Sequence, residues 1–171
     1  MQREAQEYVK RCDQCQRFAP NIHQPGGVLN PLSNLWPFAQ WGLDIVGPFP
    51  RAVGNKRYFL VSTDYFTKWV EAEPLTNIRD VDAKRFVWKN IVIRFGIPRT
   101  LISDNGLQFD SKTFRRYCCD LAITNRYSTL AYPQENGQVK AINKVVVSGL
   151  KKRSEGVKGR WVKELPHVLW T

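Results

Sequence analysis

Two aspartates occupy positions at which a carboxylate could do chemistry. Asp44 lies in the middle of an otherwise apolar segment, and Asp104 follows the short predicted strand 99–103 just before a glycine turn. A carboxylate within a core strand is costly unless it is paired or binds a metal. Two such carboxylates can hold Mg²⁺ or Mn²⁺, and two metals about 4 Å apart can activate a water or a 3′-hydroxyl against a phosphodiester. Taken singly, each aspartate also fits a structural role, Asp44 at a sheet edge and Asp104 in a turn.

The elements that would position these aspartates begin with a three-strand meander. Residues 41–46 alternate apolar and polar side chains and stop at Gly47-Pro48, which is typical of a strand followed by a breaker. Residues 57–63 are aromatic and β-branched, and residues 67–74 alternate again. We therefore expect Asp44 on the first of three consecutive strands.

Helices and strands alternate in the remainder of the chain. Apolar residues recur at helical spacing in 80–95, and a Gly-Ile-Pro sequence ends that helix. The order βββαβαβα predicts an α/β fold, with a mixed five-stranded sheet flanked by helices. The later elements are a strand at 99–103, a helix at 111–119, a strand at 121–127, a loop at 128–136, a helix at 137–153 and the start of a further helix at 161–170.

Composition and charge favour a globular protein with a polyanionic partner. The 171 residues are 43% hydrophobic, which suffices for one core. Residues 111–171 contain 12 basic and 4 acidic residues, so most of the net charge of +11 lies there. Such a stretch indicates nucleic acid, although a solvated basic face or acidic lipid would also fit. No apolar run reaches the roughly eighteen residues of a membrane helix, and we expect no membrane partner.

The N-terminal part of the chain differs from the rest. Residues 2–17 look helical and end in a CxxC, while several prolines and glycines in 18–40 predict a linker. One CxxC and one adjacent cysteine pair do not form a secreted disulfide framework, so we expect an intracellular protein. The predicted organisation is therefore an N-terminal piece at 1–17, a linker at 18–40 and a core at 41–171.

Several segments carry a specific resemblance. LDIVGPF at 43–49, SDNGLQF at 103–109 and YPQENGQ at 132–138 resemble the integrase core of gypsy-type LTR retrotransposons and retroviruses. TDYFTKW at 63–69 and LPHVLW at 165–170 are similar to the same family at the corresponding places. The resemblance runs in order over nearly the whole chain, and it implies an RNase H-like fold.

The resemblance implies a catalytic triad of two aspartates and one glutamate, with 35 residues between the last two. Asp44 and Asp104 match the aspartates, and the same spacing ends on Lys140. In the family this third carboxylate completes a two-metal site for Mg²⁺ or Mn²⁺, whereas an ammonium group has three donors and no acceptor. We therefore expect an integrase core for DNA integration whose metal site is weakened and which is not an active enzyme as its sequence stands.

Other interpretations of the third position stay open. Glu135 could substitute if a flexible loop brought it near the aspartates. Residue 140 could be misread, since one G-to-A change turns a glutamate codon into a lysine codon. Either case would give an active two-metal polynucleotidyl transferase. The fold could also serve a host as a DNA-binding or interaction module without catalysis.

The resemblance also implies contacts beyond the triad. YVKRCDQCQ at 8–16 resembles the end of the family's zinc-binding domain, but Cys12 and Cys15 are only half of a zinc ligand set, so we expect no zinc here. The family implies retroelement ends and target DNA as partners, a homo-oligomer and, for a working integrase, a nuclear location. Residues expected to contact DNA are Tyr132, Gln138, Asn143, Lys144, Lys151 and Lys152. A merely exposed basic helix would also explain the lysines.

Overall fold

A five-stranded mixed sheet forms the centre of the structure. The computed structural model describes residues 36–104, 106–128, 133–154 and 159–169, with the backbone alone at 133–138. The strand order is β3-β2-β1-β4-β5, with β1, β2 and β3 antiparallel and β4 and β5 parallel to β1. The strands are β1 (Gln40–Val46), β2 (Tyr58–Asp64), β3 (Val70–Leu75), β4 (Thr100–Ser103) and β5 (Thr124–Tyr127).

In the described part of the chain, five α-helices and a short 3-10 helix at Val53–Asn55 accompany the sheet. Helix α1 runs through Asp80–Phe86, a π-helical segment Val87–Val92 and a last turn Ile93–Phe95. The others are α2 (Leu107–Asp110), α3 (Lys112–Asp120), α4 (Pro133–Arg153) and α5 (Trp161–Leu169). Ser111 begins α3 as its cap, since its hydroxyl accepts a hydrogen bond of 3.0 Å from the Phe114 N–H. Within the described part of the chain, no helix is both long and apolar enough to cross a bilayer.

The helices cover both faces of the sheet, because side chains alternate between the faces of a strand. Leu60 of β2 packs in one core with Phe86 of α1 and Phe114 of α3. Its neighbours on β2, Phe59 and Val61, belong to a second core that includes residues of α4 and α5. The sheet therefore has α1 and α3 on one face and α4 and α5 on the other. The predicted α/β fold, a mixed five-stranded sheet flanked by helices, is confirmed.

Two of the predicted strands begin three residues later than expected. The third strand starts at Val70 rather than 67, because residues 65–67 form a turn in which the Asp64 carboxylate accepts a hydrogen bond of 2.7 Å from the Thr67 N–H. The fifth strand starts at Thr124 rather than 121, because α3 continues to Asp120. Both errors come from hydrogen bonds that local apolar patterns do not encode.

The helix that carries Lys140 begins earlier than predicted. It starts at Pro133 rather than 137, and the expected loop 128–136 is correspondingly shorter. Proline is favoured in the first helical turn, where its missing N–H costs no hydrogen bond. The last predicted helix is present as α5. The N-terminal piece at 1–17 lies outside the described residues, and the expected linker 18–40 overlaps β1 by its last residue, Gln40.

Candidate active site

Asp44 of β1 lies next to Asp104, the residue that directly follows the parallel strand β4. Strand β1 pairs with β4 through Leu43 opposite Ser103, and each aspartate is the next residue along its chain. Adjacent strands lie about 4.8 Å apart, so this register brings the two backbones close together. The Asp44 side chain is half-buried and that of Asp104 is exposed. The fold therefore brings together the two aspartates that the sequence singled out.

The Asp44 carboxylate is held by two hydrogen bonds. Its Oδ1 accepts from the Ile45 N–H at 2.8 Å, and its Oδ2 accepts from Asn143 Nδ2 at 2.5 Å. Burial raises the pKa of Asp44 above its ordinary value, and the charge of Asp104 raises that pKa further. The two donors and the Lys140 ammonium act in the opposite direction. Asp44 is thus a partly desolvated carboxylate whose negative charge is stabilised by several neighbouring groups.

Helix α4 reaches this site by packing closely on β1. Gly42 lies where a Cβ would collide with the Val139 side chain, so the missing side chain lets the helix approach the strand. Val139 is fully buried against Tyr65 and Ile102. One turn further on, Asn143 is 7% exposed and donates to Asp44. These two contacts fix the part of α4 that faces the aspartates.

Lys140 lies on α4 between those two contacts. It is three residues before Asn143, and residues three apart lie on the same side of a helix. Its side chain is exposed, and its charge is close enough to lower the pKa of Asp44. All three residues are described, and no ion pair within 4.0 Å joins Lys140 to Asp44 or Asp104. The structure therefore places the Lys140 ammonium within electrostatic range of Asp44, without an ion pair to either aspartate.

Glu135 lies in a different setting from the one expected. The sequence suggested a loop, but Glu135 is in the first turn of α4. Five residues correspond to about 500° of rotation, so position 135 is about 140° around the helix axis from position 140. The regular helix removes the flexible loop on which the substitution of Glu135 for the missing glutamate depended.

The predicted DNA-contacting residues fall into three groups. Asn143 is buried and bonded to Asp44, a contact that the sequence did not suggest. The lysines of α4 are exposed, and Lys151 lies about 16 Å along the axis from Lys140. Tyr132 and the side chain of Gln138 lie outside the described residues. The same holds for Cys12 and Cys15, which are half of a zinc ligand set rather than predicted DNA contacts. The exposed lysines are Lys144, Lys151 and Lys152.

Sequence reasoning missed the roles of Gly42 and Asn143. The only available signal for Asn143 was its i+3 spacing from Lys140. Gly42 gave no signal, since a glycine within an apolar strand is equally typical of a bulge or a close backbone approach. Both roles depend on how α4 packs on β1.

The donor set at this site does not fit a two-metal centre. Among the residues that the structure describes, no three histidine, cysteine, aspartate or glutamate side chains come together as a metal site. Asp44 and Asp104 offer carboxylate oxygens, which Mg²⁺ and Mn²⁺ prefer, but Lys140 brings positive charge and no acceptor. The described side chains here therefore supply two carboxylates and one ammonium group, and no catalytic step through two metals follows from them.

Comparisons with known proteins identify the family of this chain. The sequence profile of the family described as "Integrase core domain" matches residues 36–133, which ends before Lys140. The Gag-Pol polyprotein of Avian reticuloendotheliosis virus is 29% identical over 168 residues, which cover 98% of this chain and 14% of that protein. The Gag-Pol polyprotein of Koala retrovirus is 34% identical over 134 residues, which cover 78% of this chain and 8% of that protein.

A retrotransposon and a solved structure extend the likeness. The Transposon Tf2-3 polyprotein of Schizosaccharomyces pombe is 28% identical over 148 residues, covering 85% of this chain and 11% of that protein. A cryoEM structure of a simian T-cell lymphotropic virus intasome in complex with PP2A regulatory subunit B56 gamma matches with a TM-score of 0.70. That match covers 100% of this chain and 60% of the other at 22% identity, so it supports the fold.

The chain spans only 8% to 14% of the length of these polyproteins. The assignment of this chain to a family rests on coverage of this chain rather than of the polyproteins. The family profile covers more than half of it, and the 34% identity to the koala virus protein extends across 78% of it. The chain belongs to the integrase core domain family.

Proposed function

We propose that this chain is a retroelement integrase core that binds DNA and does not carry out two-metal phosphoryl transfer. The observation that carries the proposal is the position of Lys140. The Val139 and Asn143 contacts turn this side of α4 towards β1. The positive charge of Lys140 lowers the pKa of Asp44. A lysine thus stands where the third carboxylate of the family's triad is expected.

The chemistry of an ammonium group explains the loss of catalysis. Two-metal transfer needs carboxylates that hold one ion at the attacking oxygen and another at the leaving oxygen. Lys140 supplies charge of the same sign as the metals and no lone pair to bind them. Its positive charge favours the ionised form of Asp44, as a bound metal cation would, without supplying a ligand for a metal.

We expect this chain to bind DNA even though it lacks catalytic activity. Lys144, Lys151 and Lys152 are exposed along α4, on the helix that also carries Lys140. Phosphate contacts supply most of the affinity of a DNA-binding surface and need no metal. The intasome match supports retroelement and target DNA as partners, together with assembly into an oligomer. An integrase core would meet these partners inside the cell, in the nucleus.

Metal titration tests the position of Lys140. We expect Lys140→Glu to bind Mn²⁺ about tenfold more tightly than the unaltered chain in isothermal titration, a gain of about 1.4 kcal/mol. The matched control is Lys144→Glu, which makes the same charge change at an exposed neighbouring position of α4. We expect no comparable gain there. Equal affinity of the Lys140→Glu variant and the unaltered chain would show that residue 140 does not face the aspartates.

Strand transfer tests the proposed inactivity. Labelled DNA ends and a plasmid target are incubated with Mn²⁺ and with either the unaltered chain or its Asp104→Ala variant. We expect no joined product from either protein, because the third carboxylate is absent from both. Metal-dependent product from the unaltered chain that disappears in Asp104→Ala would contradict the proposal.

A further inference from the structure

A basic cleft lies between α1 and α3, on the face of the sheet opposite α4. It is open to solvent and has a volume of about 440 Å³. Lys84 of α1 forms one wall, and the other lining residues belong to α3. They are Lys112, Thr113, Arg116, Tyr117 and Asp120. The cleft is therefore separate from the site around Asp44, which faces α4.

Positive charge in the cleft is incompletely neutralised. Lys84, Lys112 and Arg116 face only one carboxylate in the lining, that of Asp120. Within the described part of the chain, none of the three cations forms an ion pair within 4.0 Å. The nearby Asp80 already accepts a hydrogen bond from the Ser111 hydroxyl. Three cations gathered around one opening repel one another, and an anion bound between them would relieve that repulsion.

Tyr117 forms the floor of the same cleft. Its ring lies below the Lys84 ammonium, 5.5 Å from Nζ to the ring centroid. Its hydroxyl is buried without a hydrogen-bond partner among the described residues. Burial raises the pKa of Tyr117 to about 12, so this hydroxyl stays uncharged at neutral pH and adds no negative charge to the cleft. Lys112 and Thr113 also open α3, and a helix N-terminus favours negative charge.

We propose that this cleft binds the phosphodiester backbone of a nucleic acid, as a second contact surface on the face opposite Asp44 and Asp104. The lining matches that ligand, because lysine, arginine and threonine are among the side chains that contact phosphates. An acidic peptide fits less well, since the lining contains no aliphatic side chain to anchor one. The inference rests on the DNA affinity proposed above. It adds a second surface for that DNA, in a place that the lysines of α4 do not reach.

The salt dependence of DNA binding tests the cleft. Fluorescence anisotropy with a short labelled duplex of arbitrary sequence compares the unaltered chain with the cleft variant Lys84→Ala/Lys112→Ala/Arg116→Ala. Each lost phosphate contact reduces the slope of log K against log salt by about 0.9, so three contacts reduce it by about 2.7. Between about 50 and 200 mM salt, the affinity of the unaltered chain should therefore fall roughly 40-fold more than that of the variant.

A matched control removes the same charge from the same two helices. Arg85, Lys89 and Arg115 pair with Asp82, Glu73 and Asp110 at 3.4, 3.3 and 3.7 Å. Their triple alanine variant changes the net charge as the cleft variant does, and it should leave the slope nearly unchanged. A charge-retaining variant, Lys84→Arg/Lys112→Arg/Arg116→Lys, should also keep the slope. If the cleft variant does not fold, Lys112→Ala/Arg116→Ala at two exposed positions should lower the slope by about 1.8.

The outcomes separate this inference from the proposed function. Equal slopes for the cleft and control variants, with the unaltered chain still binding DNA, would overturn the cleft alone. Loss of the slope in the charge-retaining variant would also overturn it, because the charge would then not be the cause. Binding of polyglutamate that only the cleft variant loses, with an unchanged DNA slope, would assign the cleft to an acidic peptide instead. Absence of any DNA binding by the unaltered chain would overturn both proposals.

Discussion

Gly42 provides the sharpest test of how α4 lies on β1. A Cβ at this position would collide with the Val139 side chain and lie 3.1 Å from Tyr65 Cε2. Val139 and Tyr65 are 0% and 1% exposed, so neither side chain can turn into solvent. Overpacking of a core costs about 1–3 kcal/mol. We therefore expect Gly42→Ala to lower the free energy of unfolding by that amount, and Tm by about 2–12 °C.

A double-mutant cycle identifies the contact responsible. Val139→Ala removes the methyl groups that the new Cβ would meet, so Gly42→Ala should cost less in that background. We expect the two destabilisations to be non-additive by about 1–2 kcal/mol. Urea unfolding of the four proteins, followed by circular dichroism, measures the cycle. Ser148→Ala, at an exposed position of the same helix, is the control and should change stability by less than about 0.5 kcal/mol.

The result that would refute this reasoning is an equal cost of Gly42→Ala in both backgrounds. Helix α4 would then not approach β1 at Gly42. The placement of Lys140 beside Asp44 and Asp104 would lose its main structural support, because Val139 and Asn143 define which side of the helix faces the strand.

Two further predictions concern aspartates of the sheet. Burial holds the folded pKa of Asp44 above its ordinary 3.8, so its protonated form stabilises the fold below that pH, and this stabilisation is lost as pH rises through the folded pKa. The stability of Asp44→Asn relative to the unaltered chain should therefore rise between about pH 3 and 7, and a pH-independent difference in urea unfolding would contradict this. Asp64 is fully buried and accepts from the Phe38 N–H at 3.1 Å and from the Thr67 N–H and Oγ1 at 2.7 Å each. Asp64→Ala should therefore cost about 2–5 kcal/mol, against less than about 0.5 for the exposed Asp120→Ala, and similar costs for both would refute a structural role for Asp64.

Local sequence patterns predicted most of the fold, because they report one-dimensional periodicity. The alternation at 41–46 and the apolar run at 57–63 correspond to β1 and β2, and the helical spacing of 80–95 corresponds to α1. The predictions failed at element ends. There, a side-chain hydrogen bond such as that of Asp64, or a permissive residue such as Pro133, decides where the element begins.

The candidate site divides in the same way. The spacing of Asp44, Asp104 and position 140 follows from the chain, and the fold brings these residues together. The start of α4 was predicted too late, which left Glu135 in an apparent loop. Strand order cannot be read from periodicity, so the parallel pairing that places Asp104 beside Asp44 had to come from the fold.

The sequence by itself determined which functional groups are present, namely two carboxylates and an ammonium group at a defined spacing. Residue identity and separation are properties of the linear chain. Only the tertiary structure decided which residues come into contact. Asn143 donates to Asp44 across 99 residues, and Gly42 admits α4 by lacking a side chain. Lys84 shares a cleft with Arg116 because α1 packs beside α3. Each of these contacts depends on how distant elements pack, and no local pattern of residues encodes it.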